Sequence, residues 1–247
     1  MIETELKPAR DLSRRLGNNV LLKREDLQDV RSYKIRGAYY NISNLTEEEK
    51  AAGVVAASAG NHAQGVAFAC RAMEVHGRIY VPTTTPKQKR DRIRAHGGRY
   101  VELIATGETY DAAAAAAQED VASTGATWVH AFDDSRTTSG QGTIGVELVE
   151  QLSELIRQDT DFHVLPLPKA RIPIIKISHS ATPEMPYDIS CDIGFNNQLA
   201  LENTRLLLSY AMLDPPRLRA LVLFIKVWTK RRKLNSPYTG TLSSYGY

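Results

Sequence analysis

Lys34 lies between an aromatic and an apolar residue, in Ser32-Tyr33-Lys34-Ile35-Arg36-Gly37-Ala38. A lysine that opens a helix among such neighbours can have its ammonium desolvated. Desolvation lowers its pKa and frees an amine to bond a carbonyl carbon. The plain alternative is a surface lysine whose stem lies along Tyr33. A second segment, Ser58-Ala59-Gly60-Asn61-His62-Ala63-Gln64-Gly65, follows an apolar run and opens a helical pattern. Gly60 permits a backbone conformation closed to other residues. Free amides at such a helix start can bind a carboxylate or phosphate. The Asn61 side chain can hydrogen-bond a ring oxygen. The plain alternative here is a helix capped by Ser58 or Asn61, with His62 as a helix-start polar residue.

Both segments need a frame to hold them. Residues 20–23 are β-prone, and residues 53–58 form an apolar run without polar alternation, as for a strand buried on both faces. The pattern then predicts a helix over 62–75, a strand over 78–81, a helix opened by Pro86 and ending near Gly98, and a strand over 99–104. A helix over 109–124, a strand over 127–132 and a helix over 140–152 follow. Strands alternating with helices at this spacing predict a parallel, doubly wound α/β layer. In such layers chemistry collects at the carboxyl ends of strands, where residues 58–65 fall.

Composition sets the bounds. The chain has 247 residues, 43% hydrophobic and 24% charged, which suits one or two globular domains. With 31 Lys+Arg against 28 Asp+Glu, the net charge of +3 excludes a basic nucleic-acid coat as a whole-chain property. The first residues read as neither a signal nor a transit peptide, and no apolar stretch nears the ~20 residues that span a bilayer. Two cysteines, Cys70 and Cys191, imply no disulfide framework and suit a reducing, cytoplasmic compartment. Residues 153–247 carry 12 Lys/Arg and 8 Asp/Glu, and the Ala-rich character stops near Gln151. These shifts predict a boundary at 150–160, dividing the chain into 1–152 and 153–247.

Taken together, SYKIRGA and SAGNHAQG resemble the pyridoxal-phosphate-dependent serine/threonine dehydratases, including threonine ammonia-lyase. Gly60 follows Lys34 by 26 residues. The resemblance extends over residues 4–152, through Leu22–Asp26, Val81-Pro82, Gly97-Gly98, Phe132-Asp133 and Gly140-Gln141-Gly142-Thr143. It implies a partial fold-type-II layer in which Lys34 is the Schiff-base lysine, Tyr33 flanks the pyridine ring and Asn61 bonds the pyridoxal hydroxyl oxygen. It further implies that Ser58, Gly60, Asn61 and His62 hold the carboxylate of a small amino-acid substrate. The implied reaction is β-elimination from threonine or serine, giving a 2-oxo acid and ammonia. The family's glycine-rich loop for the cofactor phosphate has no counterpart after Leu152. Weak binding of pyridoxal 5'-phosphate, or none, is therefore expected.

Residues 162–247 resemble the noncanonical poly(A) polymerases and terminal uridylyltransferases, through Cys191–Asn197, Leu201–Leu206 and Gly240–Tyr247. Residues 189, 191 and 193 alternate with polar neighbours, which predicts a half-buried strand with Asp192 pointing away from the core. The resemblance implies an α+β nucleotidyltransferase-like fragment in which Asp192 is a metal-binding carboxylate for Mg²⁺. Asn203 and Thr204 would then contact a nucleotide sugar, Lys226 and Lys230 a triphosphate, and Ser244 and Tyr245 phosphate and base. The family's Gly-Ser turn and Asp-x-Asp pair have no assignable counterpart upstream. Lys230–Lys233 reads equally as a solvated helix end or a nucleotide or RNA contact. A chain joining two partial domains is expected to self-associate through apolar faces, with or without activity.

Overall fold

A computed structural model of the chain describes residues 1–170, 172–195 and 198–235. In chain order the elements are β1 (Leu6–Pro8), α1 (Arg10–Leu16), β2 (Leu21–Lys23), a 3₁₀ turn (Glu25–Leu27), α2 (Lys34–Ser43) and α3 (Glu47–Ala52). Next come β3 (Val54–Ala57), α4 (Asn61–Met73), β4 (Gly77–Val81), α5 (Lys87–Gly97), β5 (Val101–Ala105), α6 (Tyr110–Thr124), β6 (Thr127–Trp128) and α7 (Ser135–Asp159). They are followed by β7 (His163–Leu167), β8 (Ile174–His179), β9 (Ile189–Gly194), α8 (Gln198–Ala211) and α9 (Pro215–Arg231).

The predicted parallel layer is a four-stranded sheet in the order β5-β4-β3-β6, with every pair parallel. All four residues of β3 are buried. Val54 and Ala56 join a core with Ile42, Val66, Ala67 and Ile79, while Val55 and Ala57 join another with Tyr80, Ala113 and Ala117. Alternate residues of one strand thus feed two cores, one on each face, which is why the run shows no polar alternation.

Glycines set the spacing of the helices around α2. A side chain at Gly65 of α4 would meet the Lys34 carbonyl oxygen at 3.1 Å and Ile35 Cα at 3.2 Å. One at Gly140 of α7 would meet the Arg36 carbonyl oxygen at 2.5 Å and Tyr40 Cβ at 2.6 Å. Thus α2 lies between α4 and α7, tightly against Gly65 and closer to Gly140 than a Cβ allows. α7 starts at Ser135, earlier than the apolar pattern indicates. The Asp134 carboxylate caps it by accepting from Thr137 N at 2.7 Å, and Asn41 of α2 donates to the same oxygen at 2.8 Å. The helix also continues past residue 152 to Asp159.

A three-stranded sheet, β7-β8-β9, follows, with β7 and β8 antiparallel. Here the expectation of a half-buried strand fails. Ile189 and Cys191 are exposed along with Asp192, and only Ile193 is partly covered. Alternation gave β9 an apolar side, but nothing among the described residues packs over it. The chain divides by compactness into Met1–Ile193 and a second unit beginning at Gly194. Of the seventeen residues of α9 in that second unit, Thr229 alone is buried.

Candidate active site

Lys34 is the first residue of α2, and its backbone N–H is steadied by Ser32 Oγ at 3.3 Å. Its Nζ donates to the Ala131 carbonyl at 2.8 Å and lies 5.3 Å from the Tyr33 ring centroid. Tyr33 is 41% exposed, so one side of the lysine faces an aromatic ring open to solvent. Ala131 lies three residues beyond β6, past the carboxyl end of the parallel sheet.

The second segment reaches the same place from another strand. Ser58 follows β3, the neighbour of β6 in the sheet. Its Oγ accepts from the Gly60 backbone N–H at 3.2 Å and caps no helix. The capping alternative for Ser58 or Asn61 is therefore not realised. Gly60 occupies the N-cap position with no side-chain bond to the helix, and the first amides of α4 have no side-chain cap. The expected special backbone at Gly60 is not found: φ is −118° and ψ is −150°, an extended conformation open to other residues. What distinguishes Gly60 is space, since a Cβ there would meet only Ser58 Oγ, at 4.0 Å. Asn61 is exposed at the helix start.

His62 is 4% exposed, and its Nε2 lies 2.9 Å from the Val129 carbonyl oxygen. A carbonyl only accepts, so Nε2 carries the proton and Nδ1 is an acceptor. Nδ1 is buried and has no partner. Burial pushes the ring's pKa down from 6.5 to about 4, outweighing the bond to Val129, and the charges of Lys34 and His130 push in the same direction. His62 is therefore neutral at pH 7. Lys34 and His62, from separate segments, converge on carbonyls two residues apart, Ala131 and Val129.

Sequence reasoning missed what braces this arrangement from behind. Arg36 is 1% exposed. It bonds both oxygens of Glu25 at 2.8 and 2.7 Å, both of Glu147 at 2.6 and 2.9 Å, and Thr143 Oγ1 at 3.0 Å. Lys23 pairs with Glu147 at 2.5 Å, and Thr4 donates to Glu25 at 2.5 Å. Burial opposes the Arg36 charge, yet the bonds to Glu25 and Glu147 outweigh it and hold the pKa above the ordinary arginine value. Burial likewise opposes the Glu25 charge, and Arg36 still holds that carboxyl below the usual range. The available signal was the presence of Glu25, Arg36 and Thr143 inside otherwise separate matching segments. Nothing in a single sequence marks an arginine as buried.

The other candidates belong to other elements. Asp192 is exposed on β9, and Asn203 and Thr204 lie on α8. Lys226 and Lys230 are exposed one turn apart on α9. Ser244 and Tyr245 fall outside the described residues. Asp161, His163, His179 and Asp188 line a cavity of about 530 Å³ beside the second sheet. Among the described residues no group of three His, Cys, Asp or Glu side chains is placed to hold a metal ion. No helix among them is long and apolar enough to cross a membrane.

Residues 1–170 match the family described as pyridoxal-phosphate dependent enzymes. Residues 130–212 also match a second description, the central palm domain of mitochondrial-like poly(A) RNA polymerase. That match is shorter, overlaps the first, and stops before Lys226. Over 164 residues the chain is 60% identical to the biosynthetic L-threonine dehydratase IlvA of Mycobacterium bovis, covering 66% of this chain and 37% of that protein. The corresponding Mycobacterium leprae protein is 63% identical over 150 residues, covering 61% and 35%. The chain thus spans little more than a third of these relatives. Among solved structures, threonine deaminase isoform 2 of Solanum lycopersicum is 46% identical with a TM-score of 0.57, covering 66% of this chain and 42% of that one. Maize serine racemase is 30% identical with a TM-score of 0.58, covering 62% and 46%.

Proposed function

The chain belongs to the family of pyridoxal-phosphate dependent enzymes, and from that premise we propose that it carries the lysine-bearing part of a threonine or serine deaminating site. The convergence of Lys34 Nζ and His62 Nε2 on the Ala131 and Val129 carbonyls supports this reading most directly. When bound, pyridoxal 5'-phosphate supplies an electron sink for the substrate α-carbon. Lys34 would hold the cofactor through its ε-amine and, once freed, take the α-proton. Tyr33 would flank the cofactor ring and Asn61 would donate to its ring oxygen. Ser58, Gly60, Asn61 and His62 would hold the substrate carboxylate through the Ser58 hydroxyl and the uncapped amides of α4. The net reaction would be loss of the β-hydroxyl as water and release of the nitrogen as ammonia, leaving the 2-oxo acid.

The donor set fits the cofactor at this end: an amine beside a solvent-open aromatic ring, and a helix start with room at Gly60 and no side-chain cap. Gly194 is the one glycine described after Leu152, so the described residues beyond Leu152 offer no glycine-rich cradle for the cofactor phosphate. Cofactor affinity weaker than micromolar is part of the proposal. The test is formation of 2-oxobutanoate from L-threonine with pyridoxal phosphate added in millimolar excess. Slow turnover that disappears in Lys34→Ala is expected; equal rates in the two proteins would overturn the proposal.

A second reading rests on the match of residues 130–212 to a polymerase palm. It divides the chain into parts of different ancestry, 1–152 and 153–247. Asp192 would bind Mg²⁺, and Asn203, Thr204, Lys226 and Lys230 would contact a nucleotide, with Ser244 and Tyr245 beyond them. Mg²⁺-dependent retention of UTP or ATP that Asp192→Asn abolishes is its test; no retention would reject it. Exposed Leu207, Leu208, Leu223 and Phe224 support self-association, for which light scattering is the check. A monodisperse monomer would refute it.

A further inference from the structure

The Lys34 amine is held in place by a closed ring of contacts, and one side of that ring is Arg36. From Lys34 the chain runs two residues along α2 to Arg36, past Ile35, which is fully buried. The Arg36 guanidinium turns toward α7 and bonds Thr143 Oγ1 at 3.0 Å and both Glu147 oxygens. Thr143 Oγ1 in turn donates to the Gly140 carbonyl at 2.8 Å. The next residue, Gln141, donates from Nε2 to the Ala131 carbonyl at 3.4 Å. That same oxygen accepts from Lys34 Nζ at 2.8 Å, which closes the ring. The close approach of Gly37 and Gly140 leaves α2 little room to slide, since a Cβ at Gly140 would lie 2.9 Å from Gly37 Cα. Asn41 ties the far half of α2 to Asp134 and Thr137, and at the Lys34 end a guanidinium fork clamped by two carboxylates opposes rotation about the helix axis. A lysine ammonium at position 36 would keep the charge but lose the planar fork that fixes orientation.

We propose that Arg36 is a positioning residue: its fork to Glu25, Glu147 and Thr143 sets the rotation of α2 and thereby keeps the Lys34 amine on the Ala131 carbonyl. This role deepens the proposed function and rests on Lys34 being the reactive lysine there. It can nevertheless be read without any cofactor.

The experiment is trace amine labelling of the full chain with acetic anhydride, with Lys34 and Lys89 quantified in the same sample by peptide mass spectrometry. Lys89 is exposed on α5 and serves as the internal reference. Wild type, Arg36→Lys and Thr143→Val are compared at a series of pH values, with far-ultraviolet circular dichroism as the folding control. Thr143→Val keeps the side-chain shape, removes both bonds that the Thr143 hydroxyl contributes to the ring and keeps the ion pairs, so it covers the case in which Arg36→Lys fails to fold. In both variants the Lys34:Lys89 labelling ratio is expected to rise at least threefold and its pH profile to move, while circular dichroism is unchanged. A ratio and profile equal to wild type in a folded variant would overturn the proposal. A second arm adds pyridoxal phosphate and borohydride to wild type. Absence of a fixed adduct there would count against the proposed function, while the labelling comparison would still decide the role of Arg36.

Discussion

Helices α4 and α9 both carry apolar residues at helical spacing, yet among the described residues only α4 finds something to cover them. α4 buries eight of its thirteen residues, whereas α9 buries one of seventeen. The difference lies in the opposing surface. α4 meets α2 at Gly65 and Ala38, where small residues let backbones approach, and meets β3 and β4 through Val54 and Ile79. α9 leaves Leu223, Phe224 and Trp228 exposed. Apolar periodicity states that a helix has a face to bury; it does not supply the complementary surface. The same contrast separates β3, buried throughout, from β9, largely exposed. The candidate lysine site lies on the packed side of that contrast, as a site requiring fixed geometry must.

The two cysteines test the contrast most sharply, because one lies on each side of it. Burial pushes the Cys70 thiol up to about 12, while Cys191 is exposed on β9. In native protein at pH 8, Cys191 is expected to react with a thiol reagent about 1,000-fold faster than Cys70. Comparable rates by mass spectrometry would erase the distinction. Next is the bracing network. Glu147→Ala leaves Arg36 partly uncompensated in a buried place, and a loss of about 3–5 kcal/mol in urea unfolding is expected. A loss below about 1 kcal/mol would mean that the network does not hold α2 to α7.

The third prediction concerns pH. The His62 pKa is about 4 in the folded chain and near 6.5 when unfolded. Between these values the unfolded chain binds more protons, so stability falls as pH drops from 6.5 to 4, by about 3 kcal/mol for this group. His62→Gln removes that part of the dependence, measured as unfolding free energy at pH 7 and pH 4.5. An unchanged difference between the two pH values would show that His62 is not buried as described. The smallest effect belongs to α9: Leu223→Ala should shift stability by no more than about 0.5 kcal/mol. A loss of 2 kcal/mol would show that α9 has a packed partner after all.

Much of the first region was legible because local pattern and packing agree there. The unbroken apolar run at 53–58 is β3, and Pro86 and Gly98 mark the two ends of α5. Boundaries failed where a tertiary contact decided them. α7 begins at Ser135 because Asp134 both caps it and accepts from Asn41, a residue far away in sequence. Strand β6 ends at Trp128; the Val129 N–H still donates to the Val55 carbonyl at 2.9 Å, while the carbonyls of Val129 and Ala131 turn to His62 and Lys34. Lys34, Ser58 and Asn61 could be picked out by type and spacing. At Gly60 the backbone is extended with open space beside it, where a special φ was expected. Arg36 was invisible because burial of a charge depends on partners from two other segments, Glu25 on one and Thr143 and Glu147 on the other. β9 misled because alternation describes a strand's two sides and says nothing about what lies over either.

The most direct measurement is the visible absorption spectrum of the purified chain titrated with pyridoxal phosphate, before and after borohydride, followed by peptide mapping. The account predicts a band that borohydride removes, a mass adduct located on Lys34, and neither in Lys34→Ala. An adduct spread over exposed lysines, with Lys34→Ala behaving as wild type, would contradict it.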